Sequence, residues 1–172
     1  MNQNVTSTRS QGRFSARMIA VTGITAALYA VLTMALPMLS YNAIQLRFSE
    51  ILVLLAYLNP SYWPGLVLGC FIANFFSPNG LYDIVFGTLG TVVAVWGIIH
   101  SKRLFVATLW PTISMFVVSI GIALATHIPY LPTVGTTMLG EFAVVTCIGY
   151  PVFRLLLKNQ RVARLLGWQE KW

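Results

Sequence analysis

The chain has 172 residues, of which 57% are hydrophobic and 9% charged, with eleven Lys and Arg against four Asp and Glu and a net charge of +7 at pH 7. A solvated surface needs about a quarter of its residues charged, so the composition excludes a water-soluble globule, and the apolar content excludes a disordered chain. Two cysteines exclude a disulfide scaffold, and the cations lie between and beyond long apolar runs rather than in a nucleic-acid-binding patch. What remains is a single integral membrane domain over residues 1–172.

A spanning helix needs about 20 mostly apolar residues. Residues 1–16 form a polar, basic N-terminal segment, followed by Arg17 and an apolar run from Met18 to about Leu39, broken near Pro37. This run is longer than a signal-peptide core and lacks a small-x-small cleavage site before Pro37, so it is expected to stay as a first span. The second run, from about Ile44 to Asn59, carries Arg47 and Glu50 in its first turns and stops at Asn59-Pro60-Ser61. The third, from about Tyr62 to Ser77, is short, and a five-span alternative makes it re-entrant. Ser77-Pro78-Asn79-Gly80 is the clearest turn signal. The fourth run covers Leu81 to about Ile99 and the fifth Leu104 to about Ala125, where His127 is expected to cap its end. A Pro/Gly loop then leads to Thr136, and the sixth run covers Thr137 to about Leu157 with a kink at Pro151. A basic tail, 158–172, closes the chain. The expected fold is all-α, a polytopic membrane protein with six transmembrane helices.

Charge orients this arrangement. With six spans, Arg9, Arg13 and Arg17, the Lys102-Arg103 loop, and Arg154, Lys158, Arg161, Arg164 and Lys171 all fall on one side. The positive-inside rule makes that side cytoplasmic, both termini included, as in a multi-pass protein of a prokaryotic cell membrane. The remaining cation, Arg47, is expected at the outer ends of the spans together with Glu50, Asp83 and Glu141. Ionisable groups at membrane depth are costly and face a protein interior or a water-filled cavity.

Arg47 and Glu50, three residues apart, share a helix face and can pair. A local ion pair is the simpler alternative, but three carboxylates against one arginine call for a further counter-charge, protonation or a donor-rich ligand. Asn42, Gln45, Asn74, Asn79, Tyr82, His127 and Tyr130 add hydrogen-bonding groups near this level, and Tyr41, Phe48, Phe75 and Phe76 add aromatic faces. Such surfaces suit a planar heterocycle, although each aromatic taken alone suits packing or the interfacial belt. Catalysis finds little support. His100 and His127 fall on opposite sides, Cys70 and Cys147 lack a CxxC spacing, and no GxxxxGK[ST] phosphate loop occurs.

Small residues form helical stripes that permit close approach. Ala16, Ala20, Gly23, Ala27 and Ala30 line one face of the first span, and Gly65, Gly69 and Ala73 one face of the third. Asp83, Gly87, Gly90, Thr91 and Ala94 share a face of the fourth, which turns Asp83 into the bundle. Internal packing accounts for all three stripes, but an exposed stripe on the first span would dock another membrane protein.

The stretches Tyr41-Asn-Ala-Ile-Gln-Leu-Arg-Phe-Ser-Glu50, Pro64-Gly-Leu-Val-Leu-Gly-Cys-Phe-Ile-Ala-Asn74 and Ser77-Pro-Asn-Gly-Leu-Tyr-Asp-Ile-Val-Phe-Gly87, with Gly140-Glu141 in the last span, resemble the QueT family of queuosine-precursor transporters. The resemblance covers most of the chain apart from its basic ends. It implies a six-helix S-component of an energy-coupling factor (ECF) transporter, binding a 7-deazaguanine such as preQ1 or queuine near the outer surface. Arg47, Glu50, Asn74, Asp83, Glu141, Gln45 and Tyr82 become the expected substrate contacts. Glu141 or Glu50 is expected on the guanine edge, with Asp83 against a cationic aminomethyl group.

The resemblance further implies that the chain holds no cofactor of its own, and that two ATPase subunits act through a transmembrane coupling subunit T. An AxxxA pattern on the first span docks T in such proteins; Ala16/Ala20 and Ala26/Ala30 both fit, so the expected interface is Ala16, Ala20, Gly23, Ala26, Ala27 and Ala30. Transport then proceeds by toppling of the S-component with its ligand. The competing readings are an S-component for another vitamin, a membrane-embedded enzyme using the outer carboxylates, and a proton-coupled carrier working alone.

Overall fold

The computed structural model describes residues 16–41 and 45–167, and all regular structure among them is helical. Helix α1 covers Ala16–Ala35 and stops before Pro37, which opens the short helix α2, Pro37–Ser40. The Ser40 hydroxyl donates to the Thr33 carbonyl at 3.0 Å, folding the chain back over the end of α1. Residues 45–47 are not helical, and Gln45 has a left-handed φ of 29°. A 3-10 helix, Phe48–Leu54, then runs into α3, Leu55–Leu58. The expected second span is thus only partly α-helical. The tighter 3-10 winding rises about 2 Å per residue, so this short segment covers more depth than an α-helix of equal length.

After a single 3-10 turn at Pro60–Tyr62 come α4, Trp63–Asn74, and a π-helical turn, Asp83–Gly87, that leads into α5, Thr88–His100. Helix α6 covers Leu104–Thr126 and ends on His127, whose φ of 57° is the left-handed terminating conformation. Helix α7, Tyr130–Glu141, continues through a second π-helical stretch, Phe142–Gly149, into α8, Tyr150–Lys158, and α9, Gln160–Leu165, follows.

Two expectations are corrected here. Residues from Tyr130 to Thr136 are helix rather than loop, because Pro132 falls in the first turn, where a missing N–H costs no helical hydrogen bond. Consequently Glu141 ends α7 well inside a continuous helical stretch, Tyr130–Lys158, instead of standing at its outer end. The kink expected at Pro151 is taken up just before it: the wide turns of Phe142–Gly149 absorb the clash that a proline ring imposes on the preceding turn.

Among the described residues, four helical stretches are long and apolar enough to cross a membrane, namely Ala16–Ala35, Asp83–His100, Leu104–Thr126 and Tyr130–Lys158. Phe48–Leu58 and α4 are apolar but shorter. Ile24, Trp96, Leu139 and Leu155 point outward from the bundle, as lipid-facing side chains do. The core joins Tyr29, Val53, Leu54, Leu58, Leu66, Ile98, Val144 and Val145, all buried. Helix α1 packs along α4, α5 along α6, and α6 along α7. The Gly65, Gly69 and Ala73 stripe faces α1: a β-carbon on Gly69 would stand 2.7 Å from the Tyr29 Cβ.

Side-chain contacts bring the chain reversals together in two groups. At one end the Tyr41 hydroxyl donates to the Ala73 carbonyl at 2.7 Å. At the other, the Tyr57 hydroxyl donates to the Lys102 carbonyl at 3.3 Å, and Arg17, Asn59 and Leu166 border one cavity. Arg17, Lys102, Arg103, Arg161 and Arg164 therefore gather at the same end, as their spacing in the sequence predicts.

Candidate substrate-binding site

Between the two ends lies an enclosed polar cavity. Gln45, Arg47 and Glu50 line it from the segment opening the 3-10 helix, Gly87 and Thr91 from the π turn and α5, Ser114, Met115 and Val118 from α6, and Glu141 from α7. The free space admits the centre of a water-sized molecule over about 10 Å³, close to one water.

Its charges have specific partners. Arg47 and Glu50 are both buried, with Arg47 Nη1 3.8 Å from Glu50 Oε1. The same carboxylate oxygen accepts from the Tyr29 hydroxyl on α1. Next to them the Thr33 and Ser49 hydroxyls share a 2.6 Å hydrogen bond, fixing the 3-10 helix against α1. The Arg47 guanidinium also lies over the Tyr41 ring, 5.6 Å from its centroid. Two polar atoms on the cavity-lining residues are buried with no hydrogen-bond partner, Arg47 Nε and Glu141 Oε1. An unpaired buried acceptor is expensive, so a group that donates to Glu141 from within the cavity would recover that cost.

Asp83 belongs to a different cluster. Its Oδ2 accepts from the Ser77 hydroxyl and, at 3.1 Å, from Asn79 Nδ2, while Asn74 Nδ2 donates to its backbone carbonyl at 2.9 Å. These bonds tie the Ser77–Asn79 turn to the start of the π-helical segment. Four of the seven expected contacts, Gln45, Arg47, Glu50 and Glu141, thus share the cavity; Asp83, Asn74 and Tyr82 do not line it. Asn74 is fully buried and acts from behind: its Nδ2 lies 2.6 Å from where a Gly87 β-carbon would be. It braces the backbone of a wall residue. Tyr82 is 44% exposed and is not part of the lining. The Tyr130 hydroxyl is occupied by the Phe116 carbonyl at 2.8 Å.

Ser114, Met115 and Val118 escape sequence reasoning. They carry no charge, and on an apolar helix only the Ser114/Val118 spacing of four marks a shared face. Gly87 and Thr91 read as packing residues on the Asp83 stripe; they do pack, and they also form the cavity wall. Asn42, the remaining polar residue expected near this level, lies outside the described residues.

The expected partner stripe divides in two. Ala16, Ala20, Gly23 and Ala27 are exposed, with nothing within 4 Å of a β-carbon built on Gly23. Ala26 and Ala30, by contrast, are buried, and Ala26 meets Gly69 across the α1–α4 contact. The division follows from helix geometry: successive residues turn by about 100°, so only one face of α1 can meet α4.

Breaking the ion pair gives a testable outcome. Glu50→Gln leaves the Arg47 guanidinium buried without its counter-charge, and it is expected to cost about 3–5 kcal/mol of stability. Chemical unfolding in detergent micelles measures this; a loss below about 1 kcal/mol would mean that the pair is solvated.

The QueT transporter family model matches residues 19–158, which includes every described residue of the cavity. The chain belongs to the QueT transporter family. Among curated proteins, "Queuosine precursor transporter QueT" of Lactococcus lactis subsp. cremoris (strain MG1363) is 36% identical, over 73% of this chain and 83% of its own. No solved structure matches at comparable significance. QueT proteins are transporters and not enzymes, so the reading of the buried carboxylates as acid–base catalysts is set aside. Membership also agrees with the several membrane-length apolar helices of a multi-pass protein.

Proposed function

We propose that this chain is the substrate-binding S-component of an ECF transporter that captures a queuosine precursor of the 7-deazaguanine type for uptake across the cell membrane. The observation that carries the reading is the buried Glu141 carboxylate, whose Oε1 has no partner, set in one cavity with the Arg47–Glu50 pair. A guanine edge presents two adjacent N–H donors, which a carboxylate accepts in bidentate fashion, and a carbonyl that an arginine can serve. Glu141 takes the donor edge and Arg47 the carbonyl. Two carboxylates against one guanidinium leave one negative charge in excess, which an aminomethyl ammonium would balance. That balance assigns the amine to Glu50 and leaves Asp83 to its structural hydrogen bonds.

A fused two-ring ligand is larger than the free space, so binding requires the wall to move. Met115 and Val118 on α6 are the compliant side; an unbranched Met side chain re-forms around irregular shapes at low cost. The passage of the chain between its two ends supports six spans with both termini on the basic, cytoplasmic side, Phe48–Leu58 and α4 being the short ones. Energy then comes from two ATPase subunits through a coupling subunit T. The exposed Ala16, Ala20, Gly23 and Ala27 face of α1 is the docking stripe.

A thermal-shift panel of purified protein tests the assignment, with 7-deazaguanines set against riboflavin, thiamine and biotin. Stabilisation by the deazapurines alone is expected, and a response to another vitamin would replace the ligand. Gly23→Leu should reduce co-purification with T and the ATPases several-fold while leaving deazapurine binding unchanged. Uptake into liposomes without any ATPase would identify a self-sufficient carrier instead.

A further inference from the structure

The basic end of the molecule contains a second cavity, unconnected with the substrate site and lined by different residues. It lies between the start of α1, the turn before α4 and the chain leaving α9, with about 300 Å³ of free space. Its lining is two-sided. Arg17 and the exposed Ser61 supply a cation and a hydroxyl, whereas Met18, Val21, Leu165 and Leu166 supply an apolar floor. Gly167, with φ of 78°, turns the chain at the edge, and Asn59 packs directly against it.

Charge at this end is unbalanced. Arg103 lies in the turn before α6, Lys158 ends α8, and Arg161 and Arg164 are on α9, whereas the acids among the described residues, Glu50, Asp83 and Glu141, are all buried in the interior. Within the described residues the Arg47–Glu50 contact is the ion pair formed. Among the described residues, no carboxylate borders the cavity beside Arg17.

We propose that this cavity holds the headgroup of an anionic phospholipid of the inner leaflet, with its phosphate on Arg17 and Ser61 and its acyl chain along Met18, Val21 and Leu166. Three observations converge. A cation beside a hydroxyl is a phosphate-binding pair; the adjacent floor is apolar, which a free phosphate would not need; and the site stands where a helix of membrane-spanning length begins. Basic residues at such a position attract anionic lipid with about a fivefold gain in binding for each cation.

Native mass spectrometry of the full-length chain, released from micelles containing equal phosphatidylglycerol and phosphatidylcholine, tests the proposal. One retained phosphatidylglycerol is expected, reduced about fivefold in Arg17→Gln, with Arg103→Gln, which changes the same charge at the same end outside the cavity, close to wild type. An unchanged thermal unfolding midpoint for Arg17→Gln would show that the variant is folded. Equal retention of the two lipids overturns the proposal, as does an Arg103→Gln loss as large as that of Arg17→Gln. Displacement of the lipid by millimolar inorganic phosphate also overturns it, since the acyl chain would then contribute nothing.

Discussion

Glu141→Gln is expected to remove deazaguanine binding while leaving the folded protein as stable as before. The carboxylate is 2% exposed, its Oε1 has no partner, and it stands in the cavity opposite the Arg47–Glu50 pair. In the proposed complex it would accept from the guanine edge, whereas an amide can accept only one of the two donors while turning its NH2 toward the other. Losing one member of a buried, charge-assisted contact costs about 2–5 kcal/mol, so titration calorimetry should record a loss of at least about 30-fold in affinity. The unfolding midpoint of the ligand-free protein should not fall, because the substitution keeps the shape and removes a carboxylate whose Oε1 is left unpaired. Tight binding by the Gln variant would remove Glu141 from the site. A large drop in stability would mean that Glu141 holds the bundle together rather than the ligand.

The second large effect comes from a position without a side chain. At Gly69 an added β-carbon would meet the Tyr29 Cβ at 2.7 Å and the Ala26 carbonyl oxygen at 2.8 Å, and that oxygen belongs to the backbone and cannot rotate away. Gly69→Val must push α1 off α4, at a cost of about 3 kcal/mol. It should also abolish ligand binding, because Tyr29 is the α1 group that donates to Glu50. Gly23, in the same small-residue pattern read along α1, has open space around its β-carbon, and Gly23→Leu should leave the unfolding midpoint unchanged. Equal effects at the two glycines would contradict the division of α1 into a packed and a free face.

That division explains what could be read in advance. The pattern Ala16, Ala20, Gly23, Ala27 and Ala30 has helical period, and so do Thr22, Thr25, Ala26, Tyr29 and Thr33, but spacing alone cannot choose between them. The choice rests on the partner: α4 brings Gly65 and Gly69 against the second set. Similarly, Arg47 and Glu50 were recognisable as a pair from their separation of three, whereas Asp83 looked equivalent to the glutamates. Only the turn at Ser77–Asn79 distinguishes it, by donating to its Oδ2 and holding it away from the cavity lining, although its Oδ1, like Glu141 Oε1, is buried without a partner.

The helical start at Tyr130 had a related cause. Pro129, Pro132 and Gly135 read together as a loop, yet a proline within the first helical turn loses no hydrogen bond, so the composition did not forbid the helix it appeared to interrupt.

Composition and charge order determined the membrane class, the places of the long apolar helices apart from the start at Tyr130, the clustering of cations at one end and the identity of the buried acids. These follow from local physics: apolar runs must be helical in a bilayer, and charged groups are too costly to place there without function. Tertiary structure decided which acids meet, that Glu141 reaches the interior through a helix beginning at Tyr130, and that uncharged Ser114, Met115 and Val118 complete the cavity. The physical reason is that enclosure depends on which helix faces oppose each other. Faces of similar polarity and spacing are distinguished only once another helix has been packed against one of them.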